Sequence, residues 1–395
     1  MQAFIIIAII LTVLYIALII YYRFAFTAAP KFLIPNSQSL ISNPKLPTTT
    51  LSIIIPARNE EHNIENCLQS ILQNNYPAHL LEIIVVDDHS EDSTASIVKS
   101  YAAQNVKLIS LKAFVTEQIN SYKKKAIEIA VAQASGTLLI TTDADCIVHP
   151  KWLQTIAAFY EEKQPAFIAA PVAIDCGWSF IQIFQSLDFM TLQGITAAVV
   201  HKKQMTMCNG ANMAYERAAF YEVGAFTGID NIASGDDMLL MHKIYKRYPN
   251  RVMFLKSQNA IVKTAPVDTI KQFFNQRIRW ASKADKYDDK RILPVLVLVY
   301  FFNVIMLVIP LIAVFNNVQY SMFNVQCSML CVWLLMLLFK IAAELFFLFP
   351  VAAFFDKKNI LWFFPLMQPF HICYTIVAGW LGKFGKYTWK ERSVQ

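Results

Sequence analysis

Asp143 and Asp145, separated by one residue, stand at the end of the apolar run TLLITTDAD (137–145). Mg2+ and Mn2+ usually take one or two carboxylates and complete their shell with substrate phosphates. Two Asp one residue apart at a strand end point the same way, although Asp-rich strand ends also make turns and helix caps. Two other apolar runs end in polar groups: LSIIIPA (51–57) leads into Arg58, Asn59 and Glu60, and EIIVVDD (82–88) into His89 and Ser90. Carboxylates gathered at one place repel a phosphate, so a divalent cation is the natural bridge. Asp236 and Asp237 precede MLLMHKIYKRY, where carboxylates suit the N-terminal dipole of a helix as caps. His89 and His149 adjoin acidic groups but have no second His or Cys at ligand spacing, which makes them turn histidines.

These groups need a scaffold, and the spacing predicts one. Short β-branched runs alternate with helical ones: a strand over 51–57, a helix in EEHNIENCLQSILQ, a strand over 82–88, a helix in STASIVKSYAAQ, a strand in VKLISL, a helix over 122–134 and a strand over 137–145. Continuous apolar strands alternating with helices imply an α/β fold with a mostly parallel central sheet covered on both faces. Ligands of such sheets bind beyond the carboxyl ends of the strands, where the acidic groups stand.

Outside this middle region the chain is apolar. Residues 3–22 form an uncharged run long enough to cross a hydrocarbon core of roughly 30 Å as a helix, and Met1-Gln2 lacks the basic start of a cleavable signal peptide. Further runs cover 292–315, 325–350 and 359–382, the last broken by Pro365 and Pro369. Lys340 and Glu344 in the third run share a helical face, either as a buried neutral pair or as a polar contact to a translocating or lipid-linked substrate. Arg23 and Lys31 follow the first run and Lys283, Lys286, Lys290 and Arg291 precede the second, which places the region between them in the cytoplasm. Lys383, Lys386, Lys390 and Arg392 follow the fourth run, and a Pro-broken re-entrant or interfacial segment there would keep the tail cytoplasmic.

The expected divisions are a transmembrane anchor over 1–24, a cytoplasmic catalytic domain over 48–265, an interfacial amphipathic helix over 266–290, a membrane region over 291–384 and a basic tail over 385–395. Of the 395 residues 56% are hydrophobic and 16% charged, against about 25% charged in soluble domains. With 10 glycines and no GxGxxG or GxxxxGK[ST] string, dinucleotide-binding Rossmann enzymes and P-loop ATPases are disfavoured. A net charge of +7 without an aromatic-interleaved basic stripe suits lipid headgroups and phosphates rather than nucleic acid. Seven cysteines without a CxxC pair support neither a zinc ribbon nor a disulfide framework.

The ordered strings SIIIPARNEE, VVDDHSEDST, TTDAD, CNGANMAY, GDDMLL and QRIRW, spread from about Ser52 to Trp280, resemble the family 2 inverting glycosyltransferases of the GT-A fold, in particular their membrane-anchored, synthase-like branch. The resemblance implies a GT-A nucleotide-sugar-binding domain flanked by N- and C-terminal transmembrane helices. It implies that Glu60 and Asp88 contact the nucleoside, with Pro56, Arg58 and Asn59 shaping the base pocket. Asp143 and Asp145 match the DxD that contacts ribose and Mg2+ or Mn2+, Asp145 being the principal metal ligand. Lys123 falls on the family's usual lysine, with Glu128 where an asparagine is usual. Asp237 falls on the catalytic base, beside Asp236.

Gln276, Arg277, Arg279 and Trp280 match the QxxRW element that holds the pyrophosphate and acceptor sugar; the arginine forks would clamp the phosphates, and the Trp280 ring would stack on a sugar. Phe273, Phe274, Ile278 and Trp280 also read as the buried face of an amphipathic helix. Cys208-Asn209-Gly210-Ala211-Asn212 is read as a close backbone approach near the acceptor, because Gly210 takes dihedrals closed to other residues, or as an ordinary bulge at the sheet edge. The implied reaction is metal-assisted direct displacement of a nucleotide-sugar, a UDP-sugar above others, by a lipid-linked or polysaccharide acceptor at a bacterial inner membrane. The alternatives are a processive synthase subunit that exports its product and a non-catalytic nucleotide-sensing membrane protein.

Overall fold

The structure is a computed structural model of the chain. It describes residues 2–34, 47–115, 117, 119–232, 235–282, 289–316, 319–322, 325–384, 387–389 and 392–394. Lys283, Lys286, Lys386 and Lys390 lie outside the described residues. The chain divides into two compact units, one of residues 29–175 and 199–266 and one of 1–28, 176–198 and 267–395. The catalytic span expected over 48–265 is therefore interrupted, because 176–198 groups with the apolar helices.

After α1 (Gln2–Ala28), the first unit runs β1 (Leu51–Ala57), α2 (Ile64–Leu72), β2 (Leu81–Asp87), α3 (Thr94–Ser100), β3 (Val106–Ser110) and α4 (Tyr122–Gln133). It continues through β4 (Leu138–Thr141), β5 (Cys146–Val148), α5 (Trp152–Lys163), β6 (Phe167–Ala169) and β7 (Val172–Ile174). Beyond α6 (Phe180–His201) it resumes with β8 (Met213–Glu216), α7 (Arg217–Glu222), α8 (Met238–Arg247), β9 (Val252–Phe254) and β10 (Val262–Thr264). Seven strands form one sheet in the order β3-β2-β1-β4-β8-β6-β9. β1 is parallel to both β2 and β4, and β8 runs antiparallel to both β4 and β6. The sheet is mostly parallel, as expected. A second sheet, β5-β10-β7, was not legible in the sequence because its strands are three residues long.

The central strands read as unbroken apolar runs because both faces are covered: Ile53, Ile54, Ile55, Ile84, Val85 and Val86 are fully buried. Pro56 is tolerated in this central strand because β4 pairs with β1 only as far as Ile54, so no ladder hydrogen bond toward β4 is lost. β4 ends at Thr141, four residues short of the strand expected over 137–145, and Asp143 and Asp145 occupy the turn into β5.

The other unit contains α1, the body of α6, α9 (Ile270–Ala281), α10 (Ile292–Asn316), α11 (Met329–Phe354) and α12 (Gln368–Phe384). Among the described residues four helices are long and apolar enough to cross a membrane: α1, α6, α10 over residues 292–314, and α11. The run over 359–382 divides at its prolines into 3-10 turns over Lys358–Phe363 and Pro365–Met367 followed by the 17-residue α12. The helices approach closely at glycines. A Cβ at Gly194 of α6 would lie 2.7 Å from Val351 Cγ2 of α11, and one at Gly382 of α12 would lie 2.5 Å from the Ala281 Cβ of α9.

Lys340 and Glu344 settle into a buried network in this unit. Lys340 Nζ donates to both Glu344 carboxylate oxygens at 2.7 and 2.9 Å and to Gln368 Oε1 at 2.5 Å. Gln368 Nε2 donates to Glu344 Oε2 at 3.0 Å, and Tyr15 Oη from α1 donates to Glu344 Oε1. Of the two readings of this pair, the buried one is what the geometry shows.

Candidate active site

The polar termini of β1, β2 and β4 lie side by side because those strands are neighbours. Past β1 and β2 the backbone turns through left-handed residues, Asn59 (φ 51) and His89 (φ 55). Asn59 N donates to Ser90 Oγ at 3.0 Å, Glu91 N to Asn59 Oδ1 at 2.9 Å and Glu60 N to Thr94 Oγ1 at 2.8 Å. Arg58 Nη1 donates to the Asp88 and His89 carbonyls at 3.1 and 3.3 Å. The Glu60 carboxylate accepts from Asn63 Nδ2 at 2.9 Å. Asp88 is buried, and its Oδ1 lies 3.0 Å from His89 Nδ1. His89 stands edge-on to the Tyr122 ring at 5.7 Å, which joins these turns to the start of α4.

Three consecutive lysines open α4, and the helix sends them to different places. Lys123 Nζ lies 2.7 Å from Asp143 Oδ1 and 3.2 Å from Asp236 Oδ2. Lys124, 2% exposed, donates to the Ile229 and Ile232 carbonyls at 2.6 Å each. Lys125 pairs with Glu128 at 3.4 Å. Burial alone would lower the Lys123 pKa, but the charges of Asp143 and Asp236 raise it above the ordinary lysine value.

Gly235 turns the chain at φ +82, placing Asp236 beside Lys123 and Asp237 at the head of α8. Asp237 Oδ1 accepts from Met238 N at 2.7 Å as the helix cap, and Oδ2 accepts from Gly210 N at 3.2 Å. Gly210 is not in the left-handed region, so dihedral freedom is not the reason for glycine there. Crowding is the reason: a Cβ would lie 3.2 Å from Asp236 Oδ2 and 3.4 Å from Lys123 Nζ. Asn209 accepts from Ala211 N at 2.9 Å and forms the turn that presents Gly210.

Asp145 is the most strained carboxylate of the group. Its pKa is raised to about 6, first by desolvation and then by the charges of Asp143 and Glu60. Thr264 Oγ1 on β10 donates to its Oδ2 at 3.3 Å. Among the described residues no three His, Cys, Asp or Glu side chains form a cation cage. Two adjacent carboxylates, one of them poorly compensated, nevertheless fit a Mg2+ or Mn2+ ion whose remaining ligands are phosphate oxygens and water.

The structure thus brings Glu60, Asp88, Lys123, Asp143, Asp145, Gly210, Asp236 and Asp237 to one edge of the sheet. Gln276, Arg277, Arg279 and Trp280 belong to the other unit, on α9, which begins with a capping box between Thr269 and Gln272. Arg277 is buried and lies 2.7 Å from Asp188 of α6, while Gln276, Arg279 and Trp280 are half-buried. Sequence reasoning missed Asp188, whose one signal was an acidic residue within an otherwise apolar stretch. It also missed Thr264, and it read Asn212 only as the end of the backbone approach over 208–212, whereas Asn212 is fully buried. Asn212 Nδ2 donates to the Pro171 and Ala260 carbonyls at 2.7 and 2.8 Å, and its Oδ1 accepts from Trp152 Nε1 at 3.1 Å.

Comparison with known proteins bears on the sequence profile and the fold. Residues 52–224 match the sequence profile described as Glycosyl transferase family 2. The chain is 35% identical over 112 residues to Glycosyltransferase AglE of Haloferax volcanii, covering 27% of this chain and 35% of that protein. It is 27% identical over 236 residues to the Probable glycosyltransferase YdaM of Bacillus subtilis, covering 58% and 54%. The chain therefore spans about half or less of the length of these curated relatives. Among solved structures, the mannosyltransferase PcManGT from Pyrobaculum calidifontis, in complex with GDP-Man and Mn2+, superposes with a TM-score of 0.55 at 19% identity, covering 96% of this chain and 98% of that one. That likeness is one of fold, and the fold is GT-A-like.

Proposed function

We propose, from the match of residues 52–224 to glycosyl transferase family 2, that this is a membrane-embedded inverting glycosyltransferase that moves a sugar from a nucleotide-sugar to a lipid-linked or glycan acceptor. The observation that carries this reading is the convergence of Asp143, from the turn after β4, and Asp236, next to the head of α8, on Lys123 at the sheet's carboxyl edge, with Asp237 held against Gly210 beside them. That edge is where open α/β sheets bind ligands.

In this reading Asp88 and Glu60 orient the nucleoside, with Pro56, Arg58 and Asn59 forming the base pocket. Mg2+ or Mn2+, held by Asp145 and Asp143, would neutralise charge on the diphosphate leaving group. Lys123 lies against two carboxylates and would turn its ammonium to the donor phosphates when they arrive. Two backbone N–H groups, of Met238 and Gly210, donate to Asp237 and fix the orientation of its carboxylate. Its remaining lone pairs would take the acceptor hydroxyl proton during direct displacement, inverting the anomeric centre. Asp236 would hold Lys123 in register, and the Asn209-Gly210 turn would line the acceptor side. The family resemblance assigns Arg279 to the diphosphate and Trp280 to the acceptor sugar.

The basic residues flanking the apolar helices, Arg23, Lys31, Lys290 and Arg291 among the described residues, support a cytoplasmic catalytic unit. The small number of long apolar helices favours a lipid acceptor over a self-sufficient polymer exporter. The test is transfer by purified protein across a panel of UDP- and GDP-sugars with Mg2+ or Mn2+, with and without chelator. The expected results are transfer with inverted anomeric configuration, its loss on chelation, and a loss of at least roughly 10²-fold in Asp237→Asn with nucleotide affinity retained. Asn caps a helix about as well as Asp, so the variant isolates the base. Full turnover of Asp237→Asn rejects the base, chelator-insensitive transfer rejects the metal, and no transfer with any donor rejects the activity.

A further inference from the structure

Arg277 is the buried charge of the QRIRW string. Its side chain is 4% exposed and that of its partner Asp188 is 5% exposed, with Arg277 Nη2 2.7 Å from Asp188 Oδ2. Tyr374 Oη of α12 donates to the other oxygen, Asp188 Oδ1, at 2.5 Å. The guanidinium carbon lies 4.9 Å from the Phe273 ring centre and 4.3 Å from that of Trp280. Phe184 of α6 meets Phe273 and Tyr374 edge-on at 5.5 and 5.4 Å, and Phe189 lies 6.0 Å from Trp280. One ion pair inside an aromatic collar therefore joins three helices.

Helical geometry gives this pair a consequence. Successive residues turn by about 100°, so Arg277 and Arg279 project from nearly opposite sides of α9, whereas Trp280, three residues on, returns to the Arg277 side. An arginine or aspartate stripped of its partner in apolar surroundings is costly, so rolling α9 away from Asp188 is opposed. We propose that the Asp188–Arg277–Tyr374 clasp is a positioning device. It fixes the roll of α9 and so sets the directions in which Arg279 and Trp280 project from that helix. Arg277 acts through its neighbours and is not itself a phosphate ligand. This rests on the glycosyltransferase reading above and deepens it.

The experiment uses the full chain in lipid nanodiscs with whichever nucleotide-sugar the wild type turns over, comparing Asp188→Asn, Arg277→Gln, Arg277→Lys, Tyr374→Phe and the double variant Asp188→Asn/Arg277→Gln. Misorientation of reacting groups by about 1 Å costs roughly 10²-fold in rate. Asp188→Asn and Arg277→Gln should therefore lower kcat by about that factor while the nucleotide-sugar KM stays within about twofold. The double variant should be no worse than the poorer single one, and Arg277→Lys should recover part of kcat. Tyr374→Phe keeps both charges, so it remains readable if Asp188→Asn does not fold; it should show the same kcat loss, at smaller amplitude, with KM unchanged.

A KM increase of about tenfold in Arg277→Gln, with Asp188→Asn unaffected, would make Arg277 a direct diphosphate ligand and overturn the proposal. Active wild type with normal kcat in both Asp188→Asn and Tyr374→Phe would overturn it as well and leave the glycosyltransferase reading standing. A wild type inactive on every donor would fail that reading and this inference with it.

Discussion

Lys123 and Lys124 are adjacent in sequence yet serve different surroundings, because neighbouring side chains on a helix diverge by about 100°. Lys123 reaches Asp143 and Asp236, and Lys124 pins the Ile229 and Ile232 carbonyls of the segment leading to Gly235. Lys123→Gln should lower kcat/KM for the nucleotide-sugar by roughly 10²-fold with little change in melting temperature. Lys124→Met should melt markedly earlier, since each buried carbonyl left without a donor costs roughly 1–3 kcal/mol. Paired kinetics and thermal melts of the two variants check this, and equal kinetic losses with equal melting would contradict the division of roles. The string KKK alone could not assign these duties, since the choice depends on the rotation at which α4 enters its turn. Gly210 was singled out for conformational freedom, but its neighbours Asp236 and Lys123 show that space is the constraint. A residue's type suggested its importance in both cases, and only its surroundings gave the reason.

At the level of elements, β1, β2 and β4 are tied at the end opposite the carboxylates. The Glu82 carboxylate at the start of β2 accepts from Ser52 Oγ at 2.5 Å, Ser135 N at 2.5 Å and Ser135 Oγ at 2.8 Å. Gly136 N donates to Ser52 Oγ at 2.8 Å, and a Cβ on Gly136 would lie 2.5 Å from Ser52 N. Burial would raise the Glu82 pKa, but these hydrogen bonds outweigh it and hold the carboxyl below the ordinary glutamate value. A depressed carboxyl stabilises the fold fully above its unfolded pKa and loses that contribution as pH falls through its folded value. Glu82→Gln should therefore melt earlier than wild type at pH 7, and the gap should narrow as the pH falls below the ordinary glutamate range. A gap that stays constant with pH in parallel melting curves would contradict this.

The parallel strands were legible because long β-branched runs announce them. The second sheet was not, since three residues carry no period, and α6 was not recognised among the long apolar helices because Asp188 and its glutamines dilute the apolar run. The DxD pair was identified correctly as a terminus, but the strand stops before it, since Thr141 is the last residue to pair with β1.

For the whole molecule, the Lys340–Glu344–Gln368–Tyr15 network ties α1, α11 and α12 within the apolar unit. Removing one charge leaves its partner uncompensated at a cost of roughly 3–5 kcal/mol, while replacing both by apolar residues of similar size is often neutral. Lys340→Met and Glu344→Gln should each lower the midpoint of unfolding in detergent, and Lys340→Met/Glu344→Met should recover most of it. A double variant as weak as the two losses summed would show that the pair contributes more than mutual neutralisation. The chain passes between its two units three times after α1, at residues 28–29, 175–176 and 198–199, and again at 266–267. This connectivity bears on biogenesis. Asp188 emerges from the ribosome long before Tyr374, which lies 186 residues downstream, so α6 leaves the ribosome carrying a carboxylate with neither of its partners yet made. The nascent chain must keep that group hydrated until synthesis is nearly complete.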